Sequence, residues 1–325
     1  MKQFDVFNGD ADGICSLVQL RLSSPAPDAE LITGVKRDIK LLSQVDPHSD
    51  DEITTLDISM DKNHDDLIRI LDTGAHVFYA DHHFAGEIPE ATNLNAHINT
   101  NADVCTAMII NGLLHDKHLL WAITGAFGDN LNQSALGMAQ RTDLTEQEVQ
   151  TLKQLGILIN YNGYGASLDD LHCPPADLFR EVVQYENPLD FCHGSNAVYK
   201  ALNEGYQTDF AEIDSLAPYF DSDSCGIYLL PNQPWARRVS GIFGNQLANQ
   251  APEKAHAVLT LKANGNYLVS VRAPLSNKTG ADVFCRRYAT GGGRAAAAGI
   301  NDLLAEELDP MVASFDQYYR DIVNA

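Results

Sequence analysis

The sequence predicts an α/β protein of two domains, the larger one built on a mostly parallel sheet with helices on both faces. Strand-like apolar segments alternate with helical segments through the first part of the chain. The length of 325 residues exceeds the usual size of one domain. A hairpin pattern appears only late in the chain, over residues 256–274. We therefore expect a first domain over 1–202, a linker over 203–222 and a smaller α/β domain over 223–325.

The elements of the first domain follow from apolar patterning. Strand-like runs cover residues 3–8, 30–35, 52–57 and 75–81, and helical patterns cover 14–22, 65–74, 103–115 and 119–127. Gly74 is the expected stop of its helix, because glycine readily takes the backbone conformation that ends helices. Two more helices are predicted over 145–159 and 174–185, the second with a proline start.

The second domain has its own pattern of elements. A strand is predicted over 225–230 and a helix over 237–250. The hairpin over 256–274 turns at Asn264-Gly265, a pair that favours tight hairpin turns. A helix is expected over 279–289. Another is expected in the alanine run after Arg294, because alanine is the best helix former.

Composition excludes several classes of protein. The formal net charge is −22, which argues against a protein that coats long nucleic acid, although a local cluster of arginines and metal ions can still attract a small anion. No apolar run is long enough to span a bilayer, so no membrane partner is expected. The six cysteines are scattered without a CxxC pair, which is typical of reduced packing residues. With no signal-peptide pattern at the N-terminus, the expected location is cytoplasmic.

Acidic residues follow three of the predicted strands. Asp10, Asp57 and Asp81 each lie at or just past the carboxyl end of a strand. Ligands of open α/β sheets bind at this edge, so we expect the three carboxylates to converge there. A lone acidic pair in a loop is usually a solvated turn, but three such positions in order are much less expected by chance.

The residue types at these positions suit two neighbouring divalent cations. Asp10 and Asp12 lie in one glycine-flanked turn, and hard cations prefer such carboxylate oxygens. Asp57 can bridge two ions, and an imidazole from His82 or His83 favours Mn²⁺ over Ca²⁺. Two adjacent metals activate a water and clamp phosphoryl oxygens, which predicts phosphoester hydrolysis. The sequence contains neither a GxSxG elbow nor a Walker A motif. Asp129 would complete the ligand set from another loop.

A glycine-rich segment late in the chain predicts an anion site. Gly291, Gly292 and Gly293 let a backbone approach a ligand closely, and the helix expected after them would add its dipole. Arg294 can bind a phosphate through two N–H groups, and Arg272 at the end of the hairpin adds charge. A tight turn before a packed helix is the alternative interpretation.

Together these motifs resemble the DHH phosphoesterase superfamily, in its subfamily with a C-terminal DHHA1 domain, which includes RecJ-like and oligoribonuclease-like proteins. The resemblance covers nearly the whole chain. Its motifs here are Asp10-Ala11-Asp12-Gly13, Asp57, Asp81-His82-His83, Gly128-Asp129-Asn130, and SVRAP at 270–274 with GGGRAAAAG at 291–299.

The resemblance implies a DHH domain and a smaller DHHA1 domain facing it across a cleft, with two Mn²⁺ or Mg²⁺ ions. One ion would use Asp10 and Asp57, and the other would use Asp12, Asp57, His82 and Asp129. Asp81 would orient its neighbours, and His83 would contact the scissile phosphate, with a role in assisting the leaving group left open. Gly291, Gly292, Gly293, Arg294 and Arg272 would bind substrate. The resemblance is also compatible with a homodimer.

Two departures from the family pattern affect these expectations. Family members often carry a histidine ligand shortly before the first aspartate, where this chain has Asn8 and Gly9. The first ion would then be held weakly or take Asn8 or water as a ligand. Arg294 stands where the family has histidine, and arginine keeps a phosphate contact but cannot donate a proton at neutral pH.

Three functions are open at this point. The leading hypothesis is a metal-dependent phosphoesterase acting on small nucleotides or short oligonucleotides and not on long duplexes. The first alternative is a RecJ-like single-strand exonuclease. The second is a non-catalytic nucleotide sensor with a degenerate site, motivated by the two departures.

Overall fold

The computed structural model describes residues 1–193 and 196–323. The chain divides into two compact units, Met1–Gly205 and Tyr206–Ala325. All six cysteines lie within the described residues, and none of them forms a disulfide. No helix in the described part of the chain combines the length and apolarity needed to cross a bilayer.

The first unit is built on a five-stranded sheet that is parallel throughout and has the order β2-β1-β3-β4-β5. The strands are β1 (Gln3–Phe7), β2 (Glu30–Ile32), β3 (Glu52–Leu56), β4 (His76–Asp81) and β5 (Leu94–Ile98). The first four were predicted, whereas β5 was not. This parallel sheet confirms the predicted fold class.

Helices connect and cover these strands. In the first unit they are α1 (Ala11–Ser23), α2 (His64–Asp72), α3 (Thr106–Leu113), α4 (Leu119–Gly128), α5 (Asn132–Ala139), α6 (Glu146–Gly163), α7 (Pro175–Val182) and α8 (Pro188–His193). A further helix, α9 (Ala197–Ile213), includes the division between the units and part of the predicted linker. Gly74 follows α2 with a φ of 88°, as its role as a helix stop requires.

The sheet of the first unit is covered on both faces, because successive side chains of a strand point to opposite faces. Phe4 and Val6 on β1 pack into the apolar cluster that includes Leu67 of α2. Between them, Asp5 points to the other face, where Arg21 of α1 donates to its carboxylate. The sheet therefore has helices on both sides, as predicted.

The second unit contains a six-stranded mixed sheet of order β10-β11-β9-β8-β7-β6. Among its described strand pairs, only β7 and β8 run in parallel. Met311, Phe315 and Tyr319 pack in the apolar cluster of this unit. The elements are β6 (Phe220–Asp221), β7 (Cys225–Leu230), α10 (Pro234–Gln250), β8 (Ala255–Leu261), β9 (Tyr267–Arg272), α11 (Ala281–Cys285), β10 (Gly291–Gly293), β11 (Ala297–Leu303) and α12 (Leu308–Val323).

The prediction of a helix in the alanine run was wrong. Residues Ala297–Leu303 form β11, which pairs with β9 on one side and with β10 on the other. Four alanines are too short a run to hold a helix by propensity alone, so pairing on both sides decides the conformation. The hairpin from β8 to β9, by contrast, is confirmed and has Gly265 at a φ of 85° in its turn.

Candidate metal centre

The three strand-end aspartates converge because their strands are neighbours. The sheet order places β1, β3 and β4 side by side. Asp10 begins α1 shortly after β1, Asp57 directly follows β3, and Asp81 is the last residue of β4. All three are buried, with exposed fractions of 2%, 2% and 0%. Parallel strands end at a common edge, so the carboxylates gather there.

The turn that carries Asp10 is fixed by its own hydrogen bonds and by two glycines. The Oδ1 atom of Asp10 accepts from the backbone N–H groups of Asp12 and Gly13, each at 3.1 Å, and so caps α1. A Cβ on Gly13 would lie 2.2 Å from the carbonyl oxygen of Asn8, and one on Gly9 would lie 1.9 Å from that of Gly34. Glycine is required at both places because any side chain would collide with backbone.

Asp12 is held by the first turn of α3. Its Oδ1 accepts from the N–H of Ala107 at 2.7 Å and its Oδ2 from the N–H of Thr106 at 2.8 Å. Burial and then the nearby charge of Asp57 raise the pKa of Asp12 to about 8. A carboxylate in these surroundings binds a cation readily, because a positive charge offsets the cost of burying it.

Asp57 lies in a backbone conformation that is unusual for a residue with a side chain. Its φ is 57°, in the left-handed region that aspartate tolerates better than most residues. The hydroxyl of Thr106 donates to its Oδ1 at 3.3 Å. Burial, followed by the charge of Asp10, raises the pKa of Asp57 well above its usual value. A locally strained, buried carboxylate at a strand end is typical of a functional position.

His82 presents one ring nitrogen to the carboxylates. Its Nδ1 lies 2.8 Å from the carbonyl oxygen of Val104, which can only accept, so Nδ1 carries the proton. The other nitrogen, Nε2, then lies 3.3 Å from Asp57 Oδ1, and this contact is accompanied by two longer ones. They reach Asp12 Oδ2 at 3.7 Å and Asp129 Oδ2 at 4.0 Å. The imidazole is oriented as metal-binding histidines are, with the second nitrogen hydrogen-bonded to protein.

His83 is oriented by Asp81. Its Nδ1 lies 2.7 Å from Asp81 Oδ1 and 3.8 Å from Asp57 Oδ1. The side chain of His83 is 31% exposed, whereas that of Asp81 is fully buried. Nδ1 therefore donates to Asp81, and the ring is the part of the pair that reaches solvent.

The gathered residues fit a divalent cation. Asp12, His82 and Asp129 each offer one ligand atom within 4.8 Å of the others, and Asp57, His82 and His83 form a second such group. The separations of 3.3 to 4.0 Å around His82 Nε2 match ligands spread around one small ion, which lie about 3 to 4 Å apart when each is about 2.1 Å from it. The buried Oδ2 of Asp81 has no hydrogen-bond partner among the described residues.

Asp10 belongs to neither group within the described residues, and its surroundings differ. Its Oδ2 is hydrogen-bonded to the ammonium of Lys36. Lys36 also donates to Asn160 Oδ1 at 2.9 Å. Burial alone would raise the pKa of Asp10, but the charge and hydrogen bond of Lys36 outweigh it and lower that pKa. No motif in the sequence could have identified Lys36, because it lies in an irregular segment and reaches Asp10 only through the fold.

The predicted substrate residues lie in the second unit. Arg272 ends β9, and Ala297 pairs with it at the start of β11, so the turn that contains Arg294 lies at the same end of that sheet. The guanidinium of Arg272 donates to Asn245 Oδ1 at 2.6 Å and to the carbonyl oxygen of Gly241 at 3.3 Å, both on α10. Arg272 therefore has a packing role in this unit, and its role in substrate binding stays a prediction.

Two of the three glycines are required by the backbone of the hairpin, whether or not an anion binds there. A Cβ on Gly291 would lie 1.8 Å from the carbonyl oxygen of Cys285, and Gly293 has a φ of 137°. Both positions need glycine for the β10–β11 hairpin itself. Gly292 has open space around its Cα, as a backbone that a ligand approaches would. Because a strand and not a helix follows these glycines, the helix dipole that was expected to support phosphate is absent from this segment.

Comparison with solved structures identifies proteins of the same fold. An exonuclease RecJ bound to manganese is 16% identical with a TM-score of 0.62, over 98% of this chain and 90% of that one. RecJ from Thermus thermophilus in complex with Mn²⁺ is 16% identical with a TM-score of 0.63, over 98% of this chain but only 52% of that one. A pGpG-specific phosphodiesterase from Vibrio cholerae is 14% identical with a TM-score of 0.55, over 99% of both chains.

Identities this low show a shared fold. The predicted α/β fold is thereby confirmed across nearly the whole chain, and the assignment of a DHH and a DHHA1 domain stays a prediction. Comparison of the sequence with protein-family models gives no match, and comparison with curated protein sequences gives none either.

Proposed function

We propose that this chain is a metal-dependent phosphoesterase that hydrolyses phosphoester bonds in small nucleotides or short oligonucleotides. One observation carries the proposal: the Nε2 atom of His82 faces carboxylate oxygens of Asp12, Asp57 and Asp129 at 3.3 to 4.0 Å. An imidazole and three carboxylates that face one another at these distances form a ligand set for Mn²⁺ or Mg²⁺. A RecJ with this fold is bound to manganese, which supports the same choice of ion.

The residues of the centre would have different roles in hydrolysis. A bound divalent ion supplies an activated water and positive charge for the phosphoryl oxygens. Asp12, Asp57, His82 and Asp129 would hold that ion. Asp81 keeps the proton of His83 on Nδ1, which leaves Nε2 of the exposed ring to contact the substrate phosphate. In its imidazolium form, His83 can donate the Nε2 proton to the leaving oxygen.

A small substrate fits the chain better than a long one. The pGpG-specific phosphodiesterase, which by its name acts on a dinucleotide, matches this chain over 99% of both lengths. The net charge of −22 disfavours long phosphate backbones. We infer a substrate with one or a few phosphodiester bonds, with linear dinucleotides as first candidates, and with Arg294 and Arg272 as phosphate-binding residues.

A second candidate function is a single-strand exonuclease. It is favoured by the TM-scores of 0.62 and 0.63 against the RecJ structures, which exceed the 0.55 against the dinucleotide phosphodiesterase. Long single strands usually bind along basic grooves with stacked aromatic residues. The acidic composition of this chain makes that mode the less favoured one.

The proposal is tested with a substrate panel in Mn²⁺. The panel contains pGpG and other linear dinucleotides, di- to pentanucleotides of RNA and DNA, cyclic dinucleotides, 3′-phosphoadenosine 5′-phosphate, pyrophosphate and long single strands. We expect turnover of the short linear substrates, loss of it in Asp57→Ala, and no change in His76→Ala, whose side chain lies exposed at the far end of β4.

Each other result has a definite meaning. Preference for long single strands would replace the proposal with the exonuclease function. Nucleotide binding with no hydrolysis of any substrate would establish the sensor and overturn the enzyme.

A further inference from the structure

Lys36 lies where a second cation of this centre would be expected. Its ammonium is hydrogen-bonded to Asp10 Oδ2, the carboxylate oxygen that the α1 cap leaves unused. Asp10 is also the aspartate that the resemblance assigned to the first metal ion. The side chain of Lys36 is 21% exposed and that of Asp10 is 3% exposed, so the contact is largely shielded from water.

The position of Lys36 is fixed by the end of α6 and the residue after it. The backbone N–H of Lys36 donates to the carbonyl oxygen of Gly163 at 2.8 Å. The ammonium donates to Asn160 Oδ1 at 2.9 Å and lies 5.3 Å from the centre of the Tyr164 ring, within cation–π range. Contacts at both the backbone and the ammonium therefore fix the conformation of Lys36.

Outside the two groups that share His82, the oxygen donors near Asp10 among the described residues do not make up another ligand set. The carboxylate of Asp5, three residues before Asn8, is hydrogen-bonded to the guanidinium of Arg21 on α1. Asn8 has a buried Oδ1 with no hydrogen-bond partner among the described residues. A neutral amide oxygen is a weaker ligand than the histidine of the family pattern, and it would have to act beside an ammonium that repels a divalent ion.

We propose that the ammonium of Lys36 replaces the first metal ion, so that the centre binds one divalent ion, held by Asp12, Asp57, His82 and Asp129. This inference rests on the proposed function, because it concerns the same site. Lys36 supplies a permanent positive charge beside Asp10, and a divalent ion at the same oxygen would have to displace it.

Metal stoichiometry tests the inference without relying on activity. Metal-free protein is dialysed against excess Mn²⁺, bound manganese is measured by mass spectrometry, and the electron paramagnetic resonance spectrum distinguishes a single ion from a coupled pair. We expect one Mn²⁺ per chain and a single-ion spectrum. Two ions per chain with a coupled spectrum would overturn the inference and would point to Asn8 and Asp10 as ligands of the second ion.

A substitution series tests whether Lys36 is the cause. Lys36→Met keeps most of the length of the side chain and removes the charge, so we expect a second, weaker Mn²⁺ to bind. Lys36→Arg keeps the charge and should still bind one. Lys153→Met is the matched control, because Lys153 lies on α6 with its ammonium over the Phe127 ring. One ion in Lys36→Met would also overturn the inference, since something other than Lys36 would then exclude the second ion.

The stoichiometry separates this inference from the proposed function. One ion per chain without hydrolysis of any substrate would overturn the enzyme and keep the role of Lys36. Hydrolysis by a protein that binds two ions per chain would keep the enzyme and overturn the role of Lys36. A protein that binds no ion at all would overturn both the proposed function and the inference about Lys36.

Discussion

The Nδ1 atom of His82 lies 2.8 Å from the carbonyl oxygen of Val104, just before the helix whose first N–H groups bind Asp12. Residues 104–107 therefore orient an imidazole and a carboxylate at once. The carbonyl of Val104 fixes which nitrogen of His82 carries the proton, and the amides of Thr106 and Ala107 fix both oxygens of Asp12. Such outer contacts determine how well a metal site is formed before the ion arrives.

Removing the imidazole should weaken metal binding strongly. Even outer contacts of a metal ligand are worth about 10- to 100-fold in affinity or activity, so His82→Ala should lose at least about 100-fold in Mn²⁺ affinity. Isothermal titration of metal-free protein measures the affinity, and hydrolysis of the best substrate should fall with it. His76→Ala, at the exposed start of β4, should behave as wild type. Unchanged Mn²⁺ affinity in His82→Ala would remove it from the ligand set.

Asp81 should act as a positioning residue for His83. Asp81→Ala removes the acceptor of the 2.7 Å hydrogen bond, so we expect kcat to fall about 10- to 100-fold with little change in KM. Asp81→Asn keeps an acceptor oxygen and should recover much of the loss. Nitrogen NMR of the His83 ring should show that Nδ1 is protonated in wild type and Asp81→Asn but not uniformly in Asp81→Ala. The same ring state in all three proteins would argue against this role.

Arg294 should contribute to substrate binding and little to the chemical step. A hydrogen bond to a charged group is worth about 1.5 to 3 kcal/mol, so Arg294→Ala should raise KM about tenfold or more with a smaller change in kcat. The exposed Arg180 on α7 provides the matched control, because its guanidinium pairs with Asp177 of the same surface helix at 2.8 Å. An unchanged KM in Arg294→Ala would place Arg294 outside the substrate site.

Arg272→Ala would be a less direct test of phosphate binding. Its guanidinium holds Asn245 and Gly241 of α10, so the substitution also removes packing within the second unit. We expect the variant to show a lower melting temperature as well as a higher KM. Thermal unfolding measured beside the kinetics separates the two effects.

The sequence predicts the acidic part of the site because that part depends on strand ends. Asp10, Asp57 and Asp81 could be placed at one sheet edge from apolar patterning alone, and their strands are indeed neighbours. The carbonyl of Val104 and the ammonium of Lys36 could not be found this way. One is a backbone group without a side-chain signature, and the other reaches Asp10 across 26 residues of chain.

In the second unit, local sequence signals predicted one element correctly and another wrongly. The turn at Asn264-Gly265 is a local signal, and the hairpin it predicts is confirmed. The alanine run has a local preference for helix, but its backbone pairs with β9 and β10 instead. A pattern that depends on distant partners for its conformation cannot be assigned from propensity alone.

Asp316 joins α12 to the turn before β7 and should control the acid stability of the second unit. Its Oδ1 accepts from the hydroxyls of Ser222 at 2.6 Å and Ser224 at 2.8 Å, and Arg320 donates to its Oδ2. Burial acts to raise the pKa of Asp316, but these hydrogen bonds and the charge of Arg320 outweigh it and lower the pKa. The folded state therefore favours the ionised carboxylate more than the unfolded state does.

Asp316→Asn should lower the free energy of unfolding by about 1 to 2 kcal/mol at neutral pH, because the charged acceptor is lost. A group with a lowered folded pKa stabilises fully above its unfolded pKa, about 3.9 for aspartate, and that contribution disappears as the pH falls through the folded value. Urea unfolding at a series of pH values should therefore show the variant and wild type converging in acid. Asp321→Asn, on the exposed side of α12, should follow wild type throughout. A difference that stays constant down to the lowest pH would mean that the carboxylate of Asp316 stabilises the unit by packing and not by its charge.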